Sequence, residues 1–328
     1  MSMPAPRSIT SQDITPLYGA SAKAVWESNC LLGESVLWDS RKNQLFFLDI
    51  KGGELFELPL RDFQARQRWS VPDMVSSLAL SEDGRLFGTS KFGLVEILIP
   101  ESETDVIDLK GVLLCGAGAA GNRFNDGKAS PDGTYWAGVM DDAETGQSLG
   151  ALWRFGKENV VTTILDNMLV PNGPAFHPSG TFAYFADSAR LTLFRVNIGL
   201  DGSPEVPVPV LIFSEGLGYP DGMTFDGDGN LWVAFWDGGC IRRFSPDLSK
   251  IEELILPVPR PTSIAITSQG LFVTSARIGL NQESFRKSPL SGSLFQIEGL
   301  DVPVGPDYRY AVFKGDEDFQ CIGSFLQK

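Results

Sequence analysis

A repeat constrains this 328-residue chain more than any other feature. Six stretches open on a polar residue and run into short, β-rich segments. They read ESVLWDSRKNQLFFLDI from Glu34, SSLALSEDGRLFGTS from Ser76 and NDGKASPDGTYWAGVM from Asn125. NGPAFHPSGTFAYFADS from Asn172, DGMTFDGDGNLWVAFWD from Asp221 and TSIAITSQGLFVTSARI from Thr262 complete the set. Successive openings lie 41–49 residues apart. Five openings are followed eight residues later by a turn glycine (Gly84, Gly133, Gly180, Gly229 and Gly270), and the first unit has Lys42-Asn43 near that point. Period-two patterning on either side makes each unit begin as a hairpin. Further strand-like segments such as GLVEILI, GALWRFG and GSLFQIE follow.

Strand-rich units of about 40–50 residues are the size of four-stranded propeller blades. Helical solenoids share that period but need a 3.6-residue apolar stripe, which is missing here. The expected fold is therefore all-β, a six-bladed β-propeller of mostly four-stranded antiparallel blades around a central channel. A β-sandwich of many short strands is the competing architecture; six equal-phase repeats favour a closed ring. Residues 1–17 read as a flexible N-terminal arm and residues 18–328 as one propeller domain. Either Ala24–Cys30 or the tail Tyr310–Phe325 is expected to complete the last blade.

Composition narrows the function. The 35 Gly and 21 Pro suit a chain of many turns, and 43% hydrophobic residues supply a core. A formal net charge of −14 disfavours nucleic acid and an anionic membrane surface, while suiting a cation site or plain solubility. Neither a signal-peptide-like start nor a long apolar run is present, so a cytoplasmic protein is expected. Cys30, Cys115, Cys240 and Cys321 are widely spaced without a CxxC pair, and read as thiols of a reducing compartment. His177 is the sole histidine and lies beside a turn, where a structural role is expected. Ser-His-Asp catalysis and two-histidine metal motifs thus have nothing to draw on. Monomer and dimer are both compatible with the sequence.

In a propeller the first strand of each blade lines the channel, so residues of equal phase form a ring around the axis. Glu34, Ser76, Asn125, Asn172, Asp221 and Thr262 are expected to make such a ring at one channel mouth. Four of them carry carboxylate or amide oxygens, the ligands of hard divalent cations. Polar residues also occur at strand starts simply because they bond nearby backbone. Glu34 is a poor turn residue, and the matched phase of all four favours a cation, which would offset the repulsion between the carboxylates. Arg123, two residues before Asn125, is expected on the mouth loop. Asp126, one residue beyond it, is expected to point away from the axis and brace that loop.

The motifs LLGESVLWD, RFNDGK, VPNGPAF and YPDGMTF together resemble the family of senescence marker protein (regucalcin), gluconolactonase and related sugar lactonases. The resemblance runs from about Trp26 to Glu298. It implies one divalent cation held by Glu34, Asn172 and Asp221, with calcium first and magnesium, manganese, zinc or iron as alternatives. It also implies that Asn125 contacts metal or substrate, that Arg123 contacts the sugar, and that a sugar lactone is hydrolysed to its aldonic acid. An acidic residue that helps bind sugar in some members falls at Asp142 or Glu144. The chain departs from the family at Ser35-Val36, where Gly-Pro is frequent. Its segment TSARIGLNQESFRKSPLSGSLF leans toward the bacterial lactonases.

The expected mechanism places the lactone carbonyl on the cation and sugar hydroxyls on Arg123 and Asn125, with Asp221 accepting the proton of the attacking water. Two other functions fit the same scaffold: a non-catalytic calcium- or metabolite-binding propeller, and a metal hydrolase of other esters or organophosphates.

Overall fold

The computed structural model describes residues 5–156 and 160–313. Its strands form six sheets, the β-propeller expected from the repeat. The first strands of blades 1 to 6 are Gly33–Asp39, Ser77–Leu80, Asn122–Ala129, Pro171–Phe176, Tyr219–Phe225 and Pro261–Thr267. Each touches the first strand of the next blade, and that of blade 6 touches that of blade 1, so the ring is closed.

Blade stacks on blade, so strands near the axis are buried on both faces and read as continuous apolar runs. Gln44–Asp49 is buried at all six positions. Aromatic rings fill the space between blades: Phe47 and Phe56 stack at 4.5 Å, and Trp26 meets them edge-on.

The N-terminal side closes the ring. Ser21–Trp26 pairs antiparallel with Leu294–Glu298 as the outer strand of blade 6. Described residues ahead of it are tied down rather than loose, which corrects the flexible-arm expectation. Arg7–Ile9 adds in parallel to Val208–Phe213 of blade 4, and Ile14–Pro16 adds in parallel to Ile251–Ile255 of blade 5. Both blades become five-stranded. An outer strand edge offers unpaired N–H and C=O groups, and the arm satisfies them while burying Ile9 and Leu17.

The C-terminal segment does a different job. Residues 302–311 cross the far end of the channel, where the first strands run into their turns. Gly227 N–H donates to Pro303 O at 2.7 Å, Tyr308 Oη to His177 O at 3.1 Å, and Tyr310 N–H to Leu80 O at 2.8 Å. Ala311 N–H donates to Gly133 O at 2.8 Å. This strap closes off a chamber of about 140 Å³, lined by the first strands of all six blades and by Val304–Tyr308. Residues 314–328, part of the proposed closing tail, lie outside the described residues.

Arg309 anchors the strap through Asp39 of blade 1 at 3.2 Å, with side chains only 3% and 2% exposed. Removing one partner of a buried pair strands the other charge. Arg309→Met is therefore expected to lower unfolding free energy by roughly 3–5 kcal/mol in denaturant titrations. An unchanged midpoint would count against a structural role for the strap.

Cys30 and Cys240 are buried, and burial pushes both thiols up; Cys115 is exposed and Cys321 lies outside the described residues. Among the described residues no helix is long and apolar enough to cross a membrane. His177 sits at the strap end, with Nδ1 at 2.8 Å from Ser179 Oγ and its ring stacked on Phe182 at 4.3 Å, a structural placement.

Candidate active site

The opposite mouth holds a cavity of about 600 Å³, and Glu34, Arg123, Asn125, Asn172 and Asp221 all line it. A local irregularity in the strands presents them. Five first strands slip register where the polar residue sits: Glu34/Leu37, Phe124/Gly127, Asn172/Ala175, Pro220/Met223 and Pro261/Ile264. Such a bulge breaks the strict in–out alternation of a strand and re-aims side chains. Glycine permits it at two places. Gly173 has φ +87°, and a Cβ on Gly222 would sit 2.6 Å from Thr262 O.

The expected ring of six divides. Thr262 Oγ1 donates to Gly33 O, and Ser76 Oγ lies 3.0 Å from Thr89 Oγ1. Both hydroxyls are satisfied within the wall and neither lines the cavity. The four residues with carboxylate or amide oxygens do line it.

They are joined by a directed chain of hydrogen bonds. Arg123 Nη1 donates to Asn125 Oδ1 at 2.6 Å, and Asn125 Nδ2 donates to Asn172 Oδ1 at 2.8 Å. Asn172 Nδ2 donates to Ser188 Oγ at 2.8 Å, and Ser188 Oγ to Pro220 O at 2.5 Å. Arg123 is not on a loop, as expected from sequence; it lies in the first strand of blade 3 and is buried. Its Nε donates to Asp142 Oδ1 at 2.7 Å, and Lys51 Nζ reaches the same oxygen at 2.5 Å from blade 1. Both Asp142 and Glu144 line the cavity, but Asp142 is the one bound to Arg123. Burial opposes ionisation of Asp142, yet the Lys51 hydrogen bond and the Arg123 charge outweigh it and hold its carboxyl below the ordinary range.

Sequence reasoning missed Lys51 and Ser188, and also two carboxylates that set the strand starts. Asp49 accepts from Leu31 N–H at 2.7 Å and Leu32 N–H at 3.0 Å, just ahead of Glu34. Asp187 does the same for Leu169 and Val170, just ahead of Asn172. The repeated Asp at the end of the second strand, in FFLDI and AYFADS, was the available signal.

Asp126 corrects a further expectation. It does not turn away from the axis: Oδ2 accepts from Gly173 N–H of the next blade at 2.9 Å, and its charge acts on Glu34 and Asp221 across the channel. Burial, then the Asp126 charge, pushes the Glu34 carboxyl up to about 8, although Ser35 N–H, Arg123 and Lys128 pull the other way. Asp221 is raised well above the ordinary carboxylate range by burial and then by Glu34 and Asp126. Three buried carboxylates thus face one another short of positive charge.

Oxygen atoms suited to a cation remain open. Glu34 Oε2 accepts from Ser35 N–H at 3.1 Å and Asp221 Oδ1 from Gly222 N–H at 2.9 Å. Neither Glu34 Oε1 nor Asp221 Oδ2 has a hydrogen bond among the described residues. Among those residues no three His, Cys, Asp or Glu are gathered closely enough to hold a metal by themselves. Any such set here must include an amide oxygen, and Asn172 supplies one on the same wall. The donor set is hard oxygen throughout, which suits calcium or magnesium and not a thiolate-seeking ion.

Residues 32–277 match the model of the SMP-30/Gluconolactonase/LRE-like region. The chain belongs to this family. Members similar to it include 6-deoxy-6-sulfogluconolactonase of Pseudomonas putida, 32% identical over 86% of this chain and 95% of that protein. Regucalcin of Oryctolagus cuniculus is 30% identical over 88% of this chain and 98% of its own length. Among solved structures, regucalcin of Agrobacterium tumefaciens, described as a calcium-binding protein, superposes with a TM-score of 0.77 at 26% identity, covering 89% of this chain and 99% of that one. The family match spans the first strands that carry Glu34, Asn125, Asn172 and Asp221.

Proposed function

We propose that this cavity hydrolyses the ring ester of a sugar lactone to the aldonic acid, with one divalent cation held by Glu34, Asn172 and Asp221. The observation that carries this reading is the cavity's two-sided chemistry. One side presents carboxylates with unbonded oxygens and raised pKa values; the other presents Arg123, Asn125 and Asp142, a set of donors and acceptors suited to hydroxyls. The relatives named for lactone substrates and for calcium support it.

When bound, the cation polarises the lactone carbonyl and acidifies a water. The protein's own groups do the rest. Arg123 and Asn125 hold sugar hydroxyls, and their hydrogen bonds to each other and to Asp142 fix both in place before substrate arrives. Asp221, on the cavity wall, takes the proton of the attacking water on the carboxylate oxygen that the cation leaves free. An ordinary carboxylate of pKa about 4 is a weak base, and Asp221 can serve as the proton acceptor because the water it meets would be acidified by the cation. The ring C–O bond then breaks, the alkoxide takes up a proton, and the acid leaves through the same mouth, because the strap closes the other end. Calcium is the first choice of cation. The thiols Cys30, Cys115 and Cys240, none of them in a disulfide, suit the cytoplasmic setting that we propose.

Acid release from gluconolactone and xylonolactone, measured with calcium and with a chelator, tests the proposal. Turnover above the spontaneous rate that the chelator abolishes is expected. Spontaneous rates alone, in a protein that still binds calcium, would leave cation binding as the function of the site. Turnover of hydrophobic esters or organophosphates in preference to sugar lactones would move the reading to the third alternative.

A further inference from the structure

Below the cavity the channel holds a charge that the proposed hydrolysis does not use. Lys128 projects from the first strand of blade 3 and donates from Nζ to Met223 O of blade 5 at 2.5 Å, so its ammonium bridges two non-adjacent blades. Its remaining exposure is to the chamber above the strap, which it helps to line. Asp307, the other charged side chain on that chamber, is ion-paired to Arg309 at 2.7 Å and leaves Lys128 uncompensated from below.

On the cavity side the Lys128 charge acts on Asp126 and then on Glu34. With a cation bound and all three ionised, Glu34, Asp126 and Asp221 would set three carboxylates against this ammonium, with the buried Arg123 guanidinium acting on Glu34 and Asp221 as well. At the rim Lys51 and Arg123 both bond Asp142, Glu144 is exposed, and Arg260 is paired with Asp237 at 2.6 Å. Water has little access to the inner layer, so a single unit of charge there weighs heavily.

We propose that the Lys128 ammonium tunes the charge of the cation site, favouring a doubly charged ion over a triply charged one. The inference rests on the metal reading above. Lys128 has its hydrogen bond with Met223 O and none with Glu34, Asn172 or Asp221, so neutralising it changes the charge of the site and leaves its oxygen donors in place. Calcium and the trivalent lanthanides are similar in size and in their taste for oxygen, which makes the pair a probe of charge alone.

The test is calcium and terbium binding, by calorimetry and by direct competition, in the wild type and in Lys128→Met, Lys128→Gln and Lys128→Arg. Comparing the two ions at one pH cancels the proton release that they share. The terbium-to-calcium affinity ratio is expected to rise at least about tenfold in the Met and Gln variants and to stay at the wild-type value in Arg. Gln retains a donor for Met223 O and covers the case in which the Met variant does not fold. An unchanged ratio in the folded neutral variants overturns the proposal. So does equal loss of both ions in all three variants, which would make Lys128 a purely structural residue. A wild-type protein that binds neither ion overturns the metal reading itself, and so separates the two failures.

Discussion

Asp221→Ala and Asn172→Ala are each expected to cut cation-dependent lactone turnover by roughly 10³-fold while the propeller stays folded. The reason lies in how little of the scaffold either side chain holds. Among the described residues Asp221 bonds only the backbone N–H of its own neighbour, Gly222. Its carboxyl is raised by burial and by Glu34 and Asp126, so its removal is expected to make the ion-free variant more stable. Asn172 accepts from Asn125 and donates to Ser188, but each partner keeps a backbone contact, to Pro171 O and Pro220 O respectively. Its loss is expected to cost about 1–2 kcal/mol of stability. Acid release, a calorimetric calcium titration and a thermal melt on each variant check this together. Folded variants that bind no cation yet turn over lactone at the full rate would sink the assignment.

The second large effect is on pH. The Glu34 carboxyl titrates near 4.5 in an unfolded chain and at about 8 in the ion-free protein, raised by burial and by the Asp126 charge. Between those values the folded state holds a proton that the unfolded state has released. Stability of the ion-free protein therefore falls as pH rises through this window and levels off above it. A divalent cation takes the place of the proton, so its stabilising effect grows with pH over the same range. Melting temperatures in chelator and in saturating calcium, followed from about pH 5 to about pH 8, are expected to diverge steadily. A gap between the two curves that is as wide at the acid end as at the alkaline end would contradict it.

Much of this was legible in the sequence because repeat phase is a spatial coordinate in a closed ring. Glu34, Asn125, Asn172 and Asp221 were gathered from residues up to 187 positions apart without any local motif joining them. What phase alone did not reveal is which polar side chains are already satisfied. Ser76 and Thr262 share the phase but spend their hydroxyls on Thr89 and on Gly33 O. Asp126 was misplaced for a related reason. Strict alternation turns it away from Asn125, but the slip between Phe124 and Gly127 suspends alternation across both residues. Arg123 was placed on a loop because nothing in the sequence shows that the strand begins at Asn122. Lys51 reaches the site from the turn after a second strand of another blade, where a lone Lys carries no signal. The arm was read as loose because Arg7–Ile9 and Ile14–Pro16 are too short for a period-two pattern to register.

The closure of blade 6 has a temporal side. Ser21–Trp26 emerges early in synthesis, but its partner Leu294–Glu298 is made after every other blade. Until then blades 1 and 6 cannot meet, and the ring is an open crescent with an unpaired strand at one tip. Contacts of such sequence separation are slow to form, and transiently bare strand edges favour association between chains. The arm ahead of Ser21 pairs with blades 4 and 5, both of which are made before blade 6. An arm that docks there ahead of closure would hold Ser21–Trp26 beside the gap that Leu294–Glu298 fills.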